Sequence, residues 1–524
     1  MPNPIIDALK NIYPLAVPEI ALIALACLLY LAGTWRRDRD LWGTVALVAL
    51  ASVGVVLWYT VPTRPPTAAE VYAAPIILDR LALLTKVITL IGGAILVIFT
   101  WYDISDKLAA EFYGCMLLIL AGIGLTAMSN DLIALFLSLE LISIPTYVML
   151  YIPRRDDLGR EAATKYFLLS VFSSGILLFG FSYLYGIAGS TNLSAIMDAL
   201  RSTQGVDLPV LVLVALVMVV AGLGFKITAV PFHFYAPDVY QGTTASMAAL
   251  LAFLPKVAGF VALARVLGFV VPAGPAAIAF GPHLPKLLWI VAAVTMTLGN
   301  VLALLQTNLK RLLAYSSIAH AGYMLMGLTV AQSLEATNSN VPGGVEAIMF
   351  YLVAYGGMTI GAFAVFSYLS TPEREVEMED DLAGLGVSHP GVALLMTLFL
   401  FSLIGVPLTA GFVGKMMLFF GALSGKGDSG VLFRWLAAIM AVNAAIGAWY
   451  YLRIIAKMYL HRPVKPLPKT KALPKLMTLW SCALVTLVFG IYPKPLVDLA
   501  ARTTPRLASN QSVAKASPHT AINP

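Results

Sequence analysis

The sequence has few charged residues. Asp, Glu, Lys and Arg make up 12% of its 524 residues, about half of the roughly 25% found in soluble globular chains. Hydrophobic residues make up 59%. Runs of about 18 to 20 apolar residues, enough to cross a roughly 30 Å hydrocarbon core as a helix, recur along the whole chain. This composition excludes an ordinary soluble domain and indicates a polytopic membrane protein.

Cysteine is also scarce. The three cysteines, Cys27, Cys115 and Cys482, lie inside apolar runs and are not spaced as ligands of a metal or an iron–sulfur cluster. The chain has no nucleotide-binding glycine pattern and no phosphate loop. We therefore expect no cofactor and no metal in this chain, and we expect any redox chemistry to reside in other chains. The N-terminus also lacks the features of a removable signal peptide.

Segmentation by apolar runs predicts an all-α fold with about fourteen transmembrane helices. The stretch 263–275 is apolar but short and predicts a partial or interfacial helix, while the polar residues 502–524 predict a disordered tail. The predicted spans, numbered 1 to 14 in chain order, are 18–34, 43–62, 82–101, 112–128, 131–151, 164–187, 208–230, 243–262, 287–305, 312–330, 345–369, 391–420, 431–458 and 475–493.

Basic residues are concentrated in the loops that follow odd-numbered spans, among them Arg36, Arg37, Lys107, Arg154, Lys310 and Arg311, whereas the loops after even-numbered spans hold far fewer. The positive-inside rule then places the odd loops in the cytoplasm and both termini on the opposite side of the membrane. The same distribution explains the net charge of +7 without a nucleic-acid partner.

Four charged residues within predicted spans have no adjoining loop that would explain them: Glu140, Lys226, Lys256 and Lys415. A charge near the bilayer centre costs about 3 kcal/mol on insertion scales. For a single lysine such as Lys226, the alternative is a side chain that snorkels to the interface. Four such residues together favour a hydrated polar path through the protein interior.

Prolines mark two predicted helix breaks. Pro231 follows Lys226 by five residues, and Pro407 precedes Lys415 within span 12; glycines flank both sites. Because proline removes a helical hydrogen bond, Lys226 is expected at a break and beside freed carbonyls. Broken helices at membrane depth are tolerated where they are buried or line a cavity, and a pair of them is typical of an ion pathway built from repeats.

The two breaks are five spans apart, which predicts two five-helix repeats inverted relative to each other. The resulting division assigns residues 1–111 to spans 1–3, 112–275 to the first repeat and 276–460 to the second. Residues 461–501 then hold span 14, and 502–524 the polar tail.

The charges themselves predict a proton switch. A desolvated lysine loses its proton more easily, and a nearby carboxylate restores it. We expect Glu140 to approach Lys226 within hydrogen-bond reach or through one water, with Lys256 and Lys415 as the next stations.

The histidines His233 and His320 are possible relays, because imidazole exchanges protons near neutral pH. The alternatives are an interfacial loop position for His233 and a structural hydrogen bond for His320.

Other charged positions are less specific. Lys165 near a helix start is interpreted as snorkelling, and the acidic segment 373–381 as solvated or in contact with a neighbour. Asp79, Arg80 and Lys86, near span 3, are either interfacial or contacts of a partner subunit.

Several stretches resemble the antiporter-like membrane subunits of proton-pumping NADH-quinone oxidoreductase (respiratory complex I), and among them subunit N, the bacterial counterpart of mitochondrial NADH dehydrogenase subunit 2. They are SLELISIPTYVML at 138–150, GFKITAVPFHFYAPDVYQGTT at 224–244, AFLPKVAGF at 252–260, NLKRLLAYSSIAHAGY at 308–323 and GVPLTAGFVGKMMLF at 405–419.

The resemblance implies fourteen helices with two inverted repeats, and proton translocation coupled to electron transfer from NADH to quinone. It implies that NADH, flavin, iron–sulfur clusters and quinone bind to other subunits, and that this chain contacts other membrane subunits and the lipid bilayer. The family's glutamate–lysine pair matches Glu140 and Lys226, its central lysine matches Lys256, and its second broken-helix lysine matches Lys415.

The sequence departs from the family at Tyr235, where the family often has tryptophan, and at Thr243 and Thr244, where it often has Ala-Pro. One paralogous subunit has glutamate in place of Lys415, and another carries a long lateral helix after its last core helix. Both comparisons favour subunit N.

Two other functions agree with similar motifs. One is a subunit of a multi-subunit cation/proton antiporter. The other is a membrane subunit of a membrane-bound hydrogenase or ferredoxin-linked oxidoreductase. A purely structural scaffold is disfavoured by the four intramembrane charges and the two broken helices.

Overall fold

The structure is a computed structural model that describes residues 4–60, 68–154, 156–202, 210–270, 280–336, 343–371, 374–425, 430–463 and 472–503. Within these residues the fold is helical, and the only β pairings are isolated bridges. The α-helices are α1 (Pro4–Gly33), α2 (Arg39–Thr60), α3 (Ala68–Ala73), α4 (Arg80–Thr100), α5 (Ala109–Met128), α6 (Leu132–Tyr151), α7 (Asp157–Ala188), α8 (Leu193–Ser202), α9 (Val210–Lys226), α10 (Ala236–Gly242), α11 (Ala245–Val266), α12 (His283–Leu304), α13 (Leu309–Ala336), α14 (Val345–Leu369), α15 (Leu385–Ser388), α16 (Pro390–Ile404), α17 (Ala410–Ser424), α18 (Gly430–Leu460), α19 (Leu473–Ile491) and α20 (Lys494–Ala501).

Eleven helices in the described part of the chain are long and apolar enough to cross a membrane, which confirms the all-α polytopic membrane class. They are α1, α2, α4, α5, α6, α7, α11, α12, α14, α18 and α19. Span 12 is split into two shorter helices, α16 and α17, while span 7 corresponds to α9, which the short helix α10 follows after a break. Span 10 corresponds to α13, which is long but carries several polar residues.

Two expectations about boundaries change. Span 7 does not run on to residue 230 but ends at Lys226, where the backbone turns. Residues 263–266 continue α11 and form no separate helix, while 271–275 lie outside the described residues. The predicted disordered tail also lies outside them from residue 504 onward. The short helices α3, α8, α10, α15 and α20 were not predicted, because segments of 4 to 10 residues leave too little periodicity.

Helix α11 lies at the centre of the bundle. All of its residues are buried, and it packs against α4, α5, α6, α9, α10, α13 and α14. Close approach depends on Gly259, where an added Cβ would lie 2.5 Å from Cγ2 of Ile227 and 3.2 Å from Cβ of Lys226. The absence of a side chain at Gly259 therefore lets α11 contact the broken end of α9.

Both breaks contain strained backbone. Thr228 in the first break has a φ of 61°, and Leu408 in the second has a φ of 71°. The left-handed region is unfavourable for residues with a Cβ, and such strain persists only where the surroundings impose it. Gly405, with a φ of 92°, ends α16 where a side chain would be strained. The two breaks are therefore fixed by packing.

Candidate functional site: a row of buried lysines

Lys226 is the last residue of α9, as the sequence predicted, and is 4% exposed. Its amine donates a hydrogen bond to the hydroxyl of Ser143 on α6. The expected partner was a carbonyl freed by the break. Instead, the break satisfies its own backbone: the amide of Ala229 donates to the carbonyl of Gly224 at 2.8 Å. The lysine is thus left to pair with a neighbouring helix.

Glu140 lies half-buried on α6, and the hydroxyl of Ser174 on α7 donates to its carboxylate at 2.5 Å. Glu140 and Ser143 are three residues apart and so face the same side of the helix. Among the described residues, Glu140 and Lys226 form no ion pair. Instead, Lys226 is bonded to the serine one turn from Glu140, so the expected direct contact is not present and Ser143 stands beside both groups.

Ser143 was not identified from the sequence, and it supplies a sharp test. We expect Ser143→Ala to lower proton pumping by roughly tenfold, because the buried ammonium of Lys226 loses its hydrogen-bond acceptor; an unsatisfied charged group costs a few kcal/mol. Ser143→Thr keeps the hydroxyl and should retain most of the activity. Pumping by vesicles that contain the assembled complex is the measurement. Normal proton pumping by both variants would show that the hydroxyl at position 143 is not needed.

Lys256 is fully buried near the middle of α11. Its amine donates to both the carbonyl and the hydroxyl of Ser317 on α13, and lies 5.0 Å from the ring centroid of Tyr355 on α14. A fully desolvated ammonium is stabilised by hydrogen bonds and by an aromatic face. Lys256 therefore bridges α11 to the helices of the second half of the chain.

One face of α13 carries three polar side chains at three-residue intervals, namely Ser317, His320 and Tyr323, over about 9 Å of helix. His320 is buried, and its two ring nitrogens lie 2.6 Å from the hydroxyl of Tyr351 and 3.3 Å from that of Tyr451. Both nitrogens of His320 are thus hydrogen-bonded to groups that can accept or donate a proton. The sequence identified His320 but not its tyrosine partners.

Lys415 lies in α17 beyond the second break and is 8% exposed. Its amine donates to the carbonyls of Leu403 at 2.7 Å and Ile404 at 2.9 Å, the last residues of α16. A cation at a helix C-terminus satisfies orphan carbonyls and the helix dipole. This is the freed-carbonyl arrangement that the sequence predicted, but at the second break. The amine of Lys415 also lies 5.1 Å from the ring centroid of Tyr323.

The polar groups follow one another in contact order through the second half. Lys256 contacts Ser317, and Tyr323 on the same face of α13 contacts Lys415. Between them, the ring of His320 lies 5.4 Å from that of Tyr323. In the first half, Gly259 stands one turn from Lys256 and against Lys226. The row therefore runs from Lys226 through Lys256 and α13 to Lys415.

His233 lies apart from this row. It occupies the connection between α9 and α10, is half-buried, and its Nδ1 has no hydrogen-bond partner in the described part of the chain. The amines of Lys226 and Lys256 are bonded elsewhere, to Ser143 and Ser317. The structure thus does not connect His233 to either lysine.

Ion pairs around α10 join the two halves of the chain. The amine of Lys165, interpreted from the sequence as snorkelling, lies 2.6 Å from the carboxylate of Glu161 and 2.7 Å from that of Asp238 on α10. Asp238 also pairs with Arg311 on α13 at 2.6 Å. The short helix after the first break is therefore held to both α7 and α13.

The acidic segment that follows α14 folds back onto this chain's own basic residues. Glu375 pairs with Arg154 at 3.2 Å and with Lys310, and Glu379 pairs with Arg453 at 2.5 Å. Burial raises the pKa of Glu379, and Arg453 acts against that rise. Residue 373 of the predicted segment lies outside the described residues. The remainder closes an ionic cluster over the ends of α13 and α18.

The charges near span 3 also find partners within the chain. Lys86 is buried in α4, and its amine lies 3.0 Å from the carboxylate of Glu19 on α1. Asp79 caps α4 and accepts two hydrogen bonds from Arg265, at 2.6 and 2.7 Å. Lys86 is therefore held by a carboxylate of its own chain and not by a partner subunit. One ion pair joins α1 to α4, and the other joins the start of α4 to α11.

A bundle of membrane-spanning helices that contains two broken helices and a row of buried protonatable side chains defines a class: a polytopic membrane protein built around an ion-conducting interior. The sequence pattern of the family described as "NADH:quinone oxidoreductase/Mrp antiporter, TM" matches residues 129–441.

Similar proteins narrow the assignment. The chain is 36% identical to NADH-quinone oxidoreductase subunit N 1 of Solibacter usitatus over 94% of this chain and 97% of that protein. It is 37% identical to NADH-quinone oxidoreductase subunit N of Chlorobium chlorochromatii over 95% of each. The chain belongs to the family of NADH-quinone oxidoreductase subunit N.

Two solved structures share the fold. A chain of respiratory complex I from Thermus thermophilus superposes with a TM-score of 0.74 at 29% identity, covering 92% of this chain and 99% of that one. A chain of the Mrp complex from Dietzia superposes with a TM-score of 0.77 at 20% identity, covering 96% of this chain and 98% of that one. The second likeness concerns the fold alone.

Proposed function

We propose that this chain translocates protons as a membrane subunit of NADH-quinone oxidoreductase, through the row formed by Glu140, Lys226, Lys256, His320 and Lys415. The observation that carries the proposal is the series of contacts from Lys256 through the rings of Tyr355, His320 and Tyr323 to Lys415. Each member can hold or release a proton. A purely structural membrane protein would not need such a set of buried protonatable side chains.

Electrostatics gives the row a direction of action. A buried ammonium responds strongly to a neighbouring charge that approaches or recedes. Lys226 stands one helical turn from Glu140 through Ser143. A change in the position or charge of Glu140 would therefore change whether Lys226 keeps its proton, and the proton would then pass toward Lys256. His233 has no part in this proposal.

We also propose that the chain has fourteen spans arranged as two inverted repeats. The first repeat comprises α5, α6, α7, α9 with α10, and α11; the second comprises α12, α13, α14, α16 with α17, and α18. In both, the fourth span is the broken one, and each break has a non-glycine residue with positive φ. An odd number of spans inverts the second unit relative to the first, which suits access from both sides.

The electron carriers of this function belong to other subunits. We propose that NADH, flavin, iron–sulfur clusters and quinone bind elsewhere in the assembly, and that this chain receives the coupling signal through contacts with neighbouring membrane subunits. The corresponding location is the bacterial inner membrane, with both termini on the periplasmic side. The relatives named as subunits of NADH-quinone oxidoreductase support this assignment.

The function is tested in inverted membrane vesicles from cells that lack this chain and from the same cells carrying it on a plasmid. We expect NADH to acidify the vesicle interior only in the complemented strain, and a protonophore to abolish the signal. Replacement of sodium by choline should leave the signal unchanged, because the proposed path carries protons. Proton exchange driven by a sodium gradient without NADH, together with no NADH-driven acidification, would instead identify a cation/proton antiporter.

A further inference from the structure

A cleft separate from the row of lysines opens at one end of the bundle. Its volume is about 620 Å³, within the roughly 300–1,000 Å³ typical of small-molecule sites. It is formed by the α1–α2 connection, the start of α5 with the turn before it, and the α6–α7 connection. Because it lies where membrane-spanning helices end, the cleft faces the boundary between bilayer and water. Its lining includes Arg37, Ser105, Lys107, Leu108, Glu111 and Ile152.

Two cations in this cleft are unpaired. Arg37 and Lys107 are exposed, and within the described part of the chain no carboxylate lies within 4.0 Å of either. Neighbouring arginines differ: Arg36 pairs with Asp38 at 3.3 Å, whereas Arg39 pairs with Asp106 at 3.6 Å. Among Arg36, Arg37, Arg39 and Lys107, therefore, only the two that line the cleft have no carboxylate partner within the described residues.

The cleft also contains an unpaired acceptor. The Oε2 atom of Glu111 is buried and has no hydrogen-bond partner among the described residues. A buried carboxylate oxygen without a donor costs free energy, so a ligand that brings a positively charged donor would be favoured there. Leu108 and Ile152 give the same cleft an apolar wall.

We propose that this cleft binds the headgroup of a phosphatidylethanolamine lipid. Its phosphate would lie between Arg37 and Lys107, and its ammonium would donate to Glu111. Leu108 and Ile152 would contact the start of the acyl chains. Phosphatidylcholine has the same phosphate, but its quaternary ammonium has no N–H to donate to Glu111. Phosphatidylglycerol has no cation for that carboxylate.

The surroundings favour a membrane lipid over a soluble phosphate compound. The cleft combines a charged floor with an apolar wall at the ends of membrane helices. Trp35, two residues before Arg37, is 84% exposed, and exposed tryptophans are enriched at the membrane–water interface. The exposed ring is thus placed at the depth where lipid headgroups lie.

The test is photocrosslinking in the purified complex, in detergent, with lipids that carry a photoreactive group at the start of an acyl chain. We expect the phosphatidylethanolamine probe to label peptides containing residues 105–111 or 151–154 at least about fivefold more than the phosphatidylcholine probe. Arg37→Gln combined with Lys107→Gln should remove this labelling. Arg36→Gln, the matched control outside the cleft, should leave it unchanged.

Two further comparisons keep the proposal falsifiable. Glu111→Gln should abolish the preference for ethanolamine over choline but keep phosphate-dependent labelling. Arg37→Lys combined with Lys107→Arg keeps both positive charges and should retain the labelling that the double glutamine variant loses. Equal labelling by both probes in the unaltered complex, or undiminished labelling of the double glutamine variant, would overturn the proposal. Binding of O-phosphoethanolamine that depends on Arg37 and Lys107, together with no labelling by the lipid probe, would assign the site to a soluble phosphate ester and overturn the lipid assignment. Because the readout is lipid binding, the outcome is independent of the proton path.

Discussion

Lys226→Ala is expected to abolish most NADH-driven proton pumping and to slow electron transfer from NADH to quinone with it. The amine at the end of α9 is the one lysine beside Glu140 through Ser143, and its removal interrupts the row at its first lysine. Loss of a positioned proton-transfer group typically costs about 10²–10⁴-fold. We expect at least a tenfold decrease in both rates, measured in vesicles with equal amounts of assembled complex.

Lys226→Arg distinguishes proton transfer from charge. Arginine retains the positive charge but does not release its proton in proteins, so we expect this variant to pump as poorly as the alanine variant. Lys286→Ala, at an exposed position in the first turn of α12, is the control for loss of a lysine and should be unaffected. Full pumping by the arginine variant would mean that Lys226 acts as a fixed charge and does not transfer a proton.

Lys256→Met is expected to lower proton pumping by a similar factor, because it interrupts the row of protonatable side chains at a different position. Methionine fills nearly the same volume without a proton to transfer, so Ser317 and the α13 face are disconnected from the first half. Removal of the buried ammonium also removes its desolvation cost, which offsets the roughly 1–3 kcal/mol cost of leaving the acceptors of Ser317 without a donor. We therefore expect the complex to assemble normally while pumping falls at least about tenfold.

Leu254→Met is the packing control for this variant, because Leu254 is a fully buried neighbour on α11 and exchange of leucine for methionine usually costs less than about 1.5 kcal/mol. It should pump at the normal rate. If Lys256→Met pumps normally as well, protons do not pass between the two halves through Lys256, and the row would consist of two separate paths.

The spans and the site lysines could be predicted from the sequence for a simple reason. A helix that crosses a bilayer needs an apolar run of fixed length, and a charge within such a run is conspicuous. Proline and glycine mark the breaks locally, which is why Lys226 was correctly expected at a helix end. Short helices such as α8 and α10 escaped because they are too brief for an apolar period to appear.

The partners of those residues could not be predicted. Ser143, which accepts the hydrogen bond of Lys226, is one of many serines in apolar runs, and its selection depends on how α6 is rotated against α9. The two tyrosines that contact His320 are Tyr351 on α14 and Tyr451 on α18. They lie 31 and 131 positions away in the chain. Such contacts depend on packing that no local pattern encodes.

The same reason applies to Lys86 and Lys165. The sequence reveals only their depth along a helix, and not the carboxylates that they contact. Their actual neighbours, Glu19 and Asp238, lie 67 and 73 positions away in the chain. By itself, the sequence determined the membrane class, the apolar spans and which charges must lie inside, because these follow from the cost of placing each residue in lipid. Only the tertiary structure decided which of those charges meet, because that depends on the rotation and close approach of helices distant in the chain.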